Sequence, residues 1–224
     1  MNQKLVTLEE IFPCFHKLTP DQQESVRQAA EPRLFIKGSK PHQGGSDCAG
    51  LFLVRRGRLR AYILSESGKE VTLYRLYSWD MCMFSASCIM KNIHFDIHVE
   101  AETDTDVFIV PAELFENLQK ASLPLANYTN QLMAARFSDV MWVMEQIIFK
   151  SLDSRIATLL LEQSAISDSE ILDITHDAIA RHLGTAREVV TRALKYLAAE
   201  GMVSVSRGKI TILHLNKLTK LAEG

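Results

Sequence analysis

The stretch Thr175–Gly201, THDAIARHLGTAREVVTRALKYLAAEG, decides how the rest of this chain is read. Two short helical patterns meet at Gly184. The first places Ala178, Ile179 and Leu183 at helical spacing, and the second Ala186, Val190, Ala193, Leu194 and Leu197. The turn of three to four residues between them contains glycine, as the connection in a helix-turn-helix does. At about 100° per residue the apolar positions of the second helix share one side. Glu188, Thr191, Arg192 and Lys195 fall on the opposite side, with Arg187 at its margin.

That polar side has a specific chemistry. Arginine offers a planar fork of donors matching the O6 and N7 edge of guanine, glutamate accepts from the cytosine amino group, and threonine can touch a base or a methyl. With the helix starting at Thr185, these side chains occupy the first two turns, the part of a recognition helix that enters the major groove. A purely structural reading stands beside this one. Thr185-x-x-Glu188 is also a capping box, in which Glu188 would satisfy backbone donors instead of reading bases.

Two β-type runs, Met202–Ser206 and Lys209–Leu213, flank the turn Arg207-Gly208. A hairpin directly after a helix-turn-helix is a wing, and Arg207 and Lys209 at its tip suit phosphates. The order Thr-His-Asp-x-Ile-Ala-x-x-Leu-Gly-Thr-Ala-Arg-Glu-Val-Val-Thr-Arg-x-Leu-x-x-Leu resembles the winged helix of the Crp/Fnr family of bacterial transcription regulators. The resemblance implies that Arg187, Glu188, Thr191 and Arg192 contact bases, Thr191 sitting where some members have serine. His176, Thr185, Lys195, Arg207 and Lys209 would meet the DNA backbone. The implied partners are double-stranded DNA, a second copy of the chain, RNA polymerase and an effector.

The 224 residues suffice for one large or two modest domains, and 47 % hydrophobic content is ample for a core. No apolar run approaches a membrane span, and the start, MNQKLVTLEE, lacks the basic and apolar regions of a signal peptide. A cytoplasmic protein with no membrane partner is expected. The net charge of −2 argues against a uniformly basic surface. Residues 150–224 carry ten Lys or Arg against nine Asp or Glu, so the placement of the arginines matters more than the total. Four cysteines, Cys14, Cys48, Cys82 and Cys88, are not expected to form structural disulfides in such a compartment.

Along the chain, Thr19 and Pro20 suit the cap and first position of a helix running to about Ala30. Leu34–Ile36 reads as a strand, and Pro41–Asp47 as a loop. Strand candidates then follow at close spacing: Leu51–Val54, Leu59–Leu64, Val71–Leu76, Phe95–Ala101 and Val107–Val110, with turns at Arg56-Gly57 and Ser65–Lys69. Such punctuation suggests an antiparallel β-roll or barrel. It is similar to the cyclic-nucleotide-binding-like sensor domain of the same family, whose members place turn glycines where Gly57 and Gly68 fall. A short helix over Glu113–Ala121 follows Pro111.

Pro124 opens the longest helical pattern, to about Lys150. Met133, Phe137, Val140, Met144 and Ile147 repeat at spacings of four, three, four and three, an a/d seam. A second stripe, with Met141 and Ile148, would face the protomer's own β domain. Such a seam can be core or interface; the resemblance implies a dimer interface. Ser151–Ser164 reads as a further helix capped by Ser151 or Asp153, and Ala165–Leu172 as a loop. The expected fold is α+β: a β-roll sensor over 1–122, a dimerisation helix over 123–150 and a winged helix-turn-helix over 151–224, with a hinge near Lys150.

The signal is less legible. Cyclic-nucleotide-binding members of the family hold the phosphate with Gly-Glu and Arg-Ser pairs. Here those positions align with Met83 and Phe84 and with Phe95 and Asp96, and the Thr-Ser pair on the long helix with Val140 and Met141. An aspartate facing a phosphate repels it, so cyclic AMP is not expected. Nor is an N-terminal iron–sulfur cluster, since Cys14 alone lies there. No haem ligand is singled out by spacing. Cys82, Cys88, His94, Asp96 and His98 form a cluster of ligand types suited to a thiol redox switch or a metal or haem site. The same cysteines pack equally well as small hydrophobes, and the histidines alternate with apolar residues as in a half-buried strand. A third option is an apolar pocket lined by Met83, Phe84, Phe95, Val140 and Met141. A small β-barrel metalloenzyme using His94, His98 and Cys88 accounts for nothing after Lys150, and no nucleophile elbow or phosphate loop occurs, so no enzyme is expected. A winged-helix protein-interaction module is the remaining alternative, which the set Arg187, Glu188, Thr191 and Arg192 disfavours.

Overall fold

The computed structural model describes residues 6–44, 49–83, 85 and 96–223. These form two compact units, one of Met1–Leu64 with Leu73–Val140 and one of Ser65–Thr72 with Met141–Gly224. The division between these units falls inside the long helix, between Val140 and Met141.

The first unit opens with α1 (Leu8–Ile11), a 3-10 turn at Phe15–Lys17 and α2 (Pro20–Ala29). Eight strands follow among the described residues: β1 (Glu31–Phe35), β2 (His42–Gln43), β3 (Leu51–Arg56), β4 (Leu59–Leu64), β5 (Glu70–Leu76, its first three residues assigned to the second unit), β6 (Met81–Cys82), β7 (His98–Ala101) and β8 (Thr105–Val110). They make two sheets, in the orders β1-β8-β3-β6 and β2-β7-β4-β5. β3 is buried on both faces, which is why Leu51–Val54 is a continuous apolar run rather than an alternating one. Phe52 and Val54 meet Leu59, Ala61, Leu76, Cys82, Val99 and Val107 between the sheets. Leu51 and Leu53 pack on the other side with Phe12, Phe15, Val26, Phe115 and Leu125.

Local chemistry sets the ends of several elements. Thr19 and Gln22 form a reciprocal capping box at α2, with Pro20 in its first turn. Gly57, at φ 102°, lets β3 turn into β4; a Cβ there would lie 2.6 Å from the Asp104 carbonyl oxygen. The strand expected from Phe95 begins only at His98.

α3 (Ala112–Ala121) and α4 (Leu123–Phe149) complete the frame. Leu125 and Thr129 anchor the start of α4 in the core, and Met133 and Val140 pack against the cluster between the sheets. The faces of α4 therefore differ from the sequence expectation. Met133 and Val140, read as seam residues, turn inward, whereas Met141 (44 % exposed) and Ile148 (62 %), read as facing the β domain, lie open. Phe137, Met144 and Ile147 of the same seam are open as well, so the open face of α4 takes in part of both expected stripes.

The second unit contains α5 (Leu152–Ser167), β9 (Ile171–Leu172), α6 (His176–Leu183), α7 (Arg187–Ala199), β10 (Val203–Ser206), β11 (Lys209–Ile212) and α8 (Leu215–Glu223). Ser151 caps α5, accepting from the Ser154 amide. α5 runs three residues beyond Ser164, and the expected loop after it contributes β9, which pairs with β11. The sheet order is β10-β11-β9. One core of Ile156, Leu160, Ile179, Val190, Leu194, Leu197, Ile210 and Leu218 ties the helices to this sheet.

Candidate nucleic-acid interface

α6 is capped by Thr175, whose hydroxyl accepts from the Ala178 amide. It ends at Gly184, in the left-handed conformation at φ 67°, the usual device for stopping a helix and turning the chain. Arg155 on α5 donates to the Leu183 carbonyl at 2.7 Å, securing that exit. Burial lowers the Arg155 pKa from its ordinary value, yet its guanidinium remains a donor. Sequence reasoning passed over Arg155, because nothing local marks it.

α7 begins two residues later than expected. Ala186 is its N-cap, no side chain caps it, and the first helical residue is Arg187. The Thr185–Glu188 capping box does not form, since Gly184, Thr185 and Ala186 all belong to the turn. Glu188 is exposed in the first turn of α7 and free of that structural duty. Val190, Ala193, Leu194 and Leu197 are buried, whereas Arg187, Glu188, Arg192 and Lys195 are exposed. Ala186, expected on the apolar side, is exposed at the cap.

Two contacts tie the polar face of α7 to the start of α6. Arg187 Nη1 lies 3.5 Å from Asp177 Oδ2, both side chains more than half exposed. The pair costs little to break, about 0–1 kcal/mol, so it holds Arg187 without consuming it. Asp177 was not singled out in the sequence, where it reads as an ordinary acid in a first helical turn. Thr191 is partly buried: its hydroxyl donates to the Arg187 carbonyl at 2.9 Å and lies 2.9 Å from His176 Nδ1.

In the wing, Ser206 pairs with Lys209 across Arg207-Gly208, and Gly208 takes φ 76°. Arg207 is exposed at the tip, and Lys209 Nζ lies 3.5 Å from Asp173 Oδ1. α7 and the wing thus carry cations at their open ends, above an apolar base shared with α5 and α8.

Residues 154–221 match the family pattern described as a Crp-like helix-turn-helix domain. Transcriptional regulator SdrP of Thermus thermophilus is 31 % identical over 179 residues, 77 % of this chain and 83 % of that protein. A solved structure from Eubacterium rectale, assigned to the Crp/Fnr family of transcriptional regulators, is 51 % identical and superposes with a TM-score of 0.93. It covers 96 % of this chain and 99 % of that one. This chain belongs to the Crp/Fnr family of transcription regulators. The cyclic AMP receptor protein of Thermus thermophilus is also similar, 25 % identical over 95 % of this chain and 97 % of that protein. The relatives named here are regulators, not enzymes, and no described helix is long and apolar enough to cross a membrane.

In this Crp/Fnr protein six of the residues expected near the effector, Cys82, Met83, Asp96, His98, Val140 and Met141, are among those described. Cys82 is buried between the sheets. Met83 is buried in the other cluster, with residues of α1, α2 and α3, and Val140 packs against the cluster that holds Cys82. Met141 is open to solvent and so is Asp96. His98, partly buried, stacks on Tyr62 with centroids 5.2 Å apart, and Arg60 lies 4.1 Å over the same ring. Phe84, Cys88, His94 and Phe95 lie outside the described residues. Among those described, no three His, Cys, Asp or Glu side chains converge as a metal site would require.

Proposed function

We propose that this Crp/Fnr protein binds palindromic double-stranded DNA as a homodimer, reading bases with Arg187, Glu188, Thr191 and Arg192, and that a signal received by the β-roll gates that binding. The single observation supporting base readout is the open first turn of α7, where Arg187 and Glu188 lead with no capping duty. His176, Thr185, Lys195, Arg207 and Lys209 are the backbone contacts. The dimer rests on the apolar stripe left open on α4. Two recognition helices would then meet half-sites roughly 34–36 Å apart, and RNA polymerase is the partner to which a bound dimer would report.

Cyclic AMP is not that signal. Its phosphate needs a cation and close donors, while the aligned positions carry Met83, Phe84, Phe95 and Asp96. The reading that remains is a small-molecule, redox, or metal or haem signal acting on the β-roll.

Selection of binding sites from random duplex DNA tests this. A two-fold symmetric consensus is expected, with affinity falling steeply as salt rises. Arg187→Ala should weaken the selected site by about 1–3 kcal/mol and relax one base pair per half-site. Added cyclic AMP should leave the dissociation constant unchanged. An Arg187→Ala protein with wild-type affinity and consensus would remove base readout from α7.

A further inference from the structure

We propose that Thr191 reads a thymine through its γ-methyl group and not through its hydroxyl. This rests on the reading of α7 as the base-contacting helix and assigns the chemistry of one position on it.

A threonine hydroxyl has one hydrogen and two lone pairs. The hydrogen of Thr191 is given to the carbonyl oxygen of Arg187, 2.9 Å away, the back-bond that a helical threonine makes to the preceding turn. His176 Nδ1 lies 2.9 Å from the same oxygen. Were the imidazole the acceptor instead, the same hydrogen would go to Nδ1, so in either tautomer Thr191 Oγ1 has no hydrogen left for a base.

The two contacts also fix the rotamer. One comes from the backbone of α7 and one from the first residue of α6, so turning χ1 would break both. The part of the side chain without a hydrogen-bonding duty is the γ-methyl, on a residue that stays partly open one turn beyond Arg187. The major groove presents one apolar group, the C5-methyl of thymine. A fixed methyl beside Arg187 and Arg192 therefore selects thymine over cytosine, whose C5 carries only hydrogen.

The test uses the full chain and its selected half-site. Each thymine is replaced in turn by deoxyuridine, which removes the methyl and keeps every hydrogen-bonding group. Dissociation constants are measured for wild type, Thr191→Ser and Thr191→Val at fixed salt. One thymine per half-site should lose about fourfold in wild type, the worth of roughly one buried methyl. Thr191→Val loses the hydroxyl but carries a γ-methyl at either branch, with χ1 held by β-branching in the helix, and should retain that penalty. Thr191→Ser, with the reverse change, should abolish it. The inference is overturned if the serine variant shows the wild-type penalty, if the valine variant loses it, or if a selected site shows no such thymine. A protein that selects no sequence overturns the base-reading role of α7 itself, a different and recognisable result.

Discussion

Tyr74 carries a pH dependence that can be derived residue by residue. Its phenol is buried and held well above the ordinary value of 10.0, first by desolvation and then by Cys82, with the Arg136 guanidinium opposing. That guanidinium lies 4.5 Å from the ring centroid. Because the folded value is raised, the phenol is protonated in both states below pH 10 and has no effect on stability there. Above pH 10 the unfolded chain releases the proton and the folded one keeps it, so stability falls, by at most about 1.4 kcal/mol per pH unit from this group, until the folded phenol also ionises. Urea unfolding at pH 7, 9.5 and 10.5 should therefore show an alkaline loss, measured in each protein against its own stability at pH 7, that Tyr74→Phe reduces. An identical alkaline loss in both would mean that the fold does not protect this phenol.

At the scale of elements, what could be read in the sequence was local. The caps at Thr19 and Ser151 depend on neighbours three residues away, and both formed. The cap at Thr185 depended on the length of a turn, and Gly184, Thr185 and Ala186 together made it longer. β2, β6 and β9 have two residues each, too few for any period. α1 and α8 did leave signals, Thr7-x-x-Glu10 at one and Leu215, Leu218 and Leu221 at helical spacing at the other. Within the interface the exposed set on α7 was legible because it needs only a helical period. Arg155, Asp177 and the His176–Thr191 contact were not, because they join residues that meet only once α5, α6 and α7 have packed. α8 also makes a prediction. Leu218 is fully buried beside α5, while Lys150 donates to the carbonyls of Ala222 and Glu223, and Ser154 to that of Ala222 at 3.1 Å. Leu218→Ala should cost about 2–5 kcal/mol in urea unfolding. Lys150→Met, which removes a cation from a helix C-terminus, should cost only about 0.3–1 kcal/mol. Equal losses would mean that the last helix is held by its end and not by its core face.

For the whole molecule, the decisive surface is the open stripe of α4. Phe137 (68 % exposed), Met141, Met144 (46 %) and Ile148 follow one another at spacings of four, three and four, with Trp142, Ile147 and Phe149 also open beside them. A run of apolar side chains at heptad spacing is the seam of a two-helix interface, and a contiguous patch of this kind seldom stays uncovered. Met133 and Val140 already have partners in their own core and cannot serve it. The two faces predict opposite failures. Phe137→Glu with Met144→Glu should leave circular dichroism and melting nearly unchanged while light scattering at micromolar concentration reports a monomer. Affinity for a two-half-site operator should then fall by about 100-fold or more, since the second half-site no longer benefits from being tethered to the first. Sensitivity to half-site spacing should vanish with it. Val140→Glu should instead lower the melting temperature, because it buries a charge against the cluster between the sheets. A double mutant that stays dimeric would move the two-fold axis away from α4, and the spacing expected of the operator would have to be derived again from whatever surface replaces it.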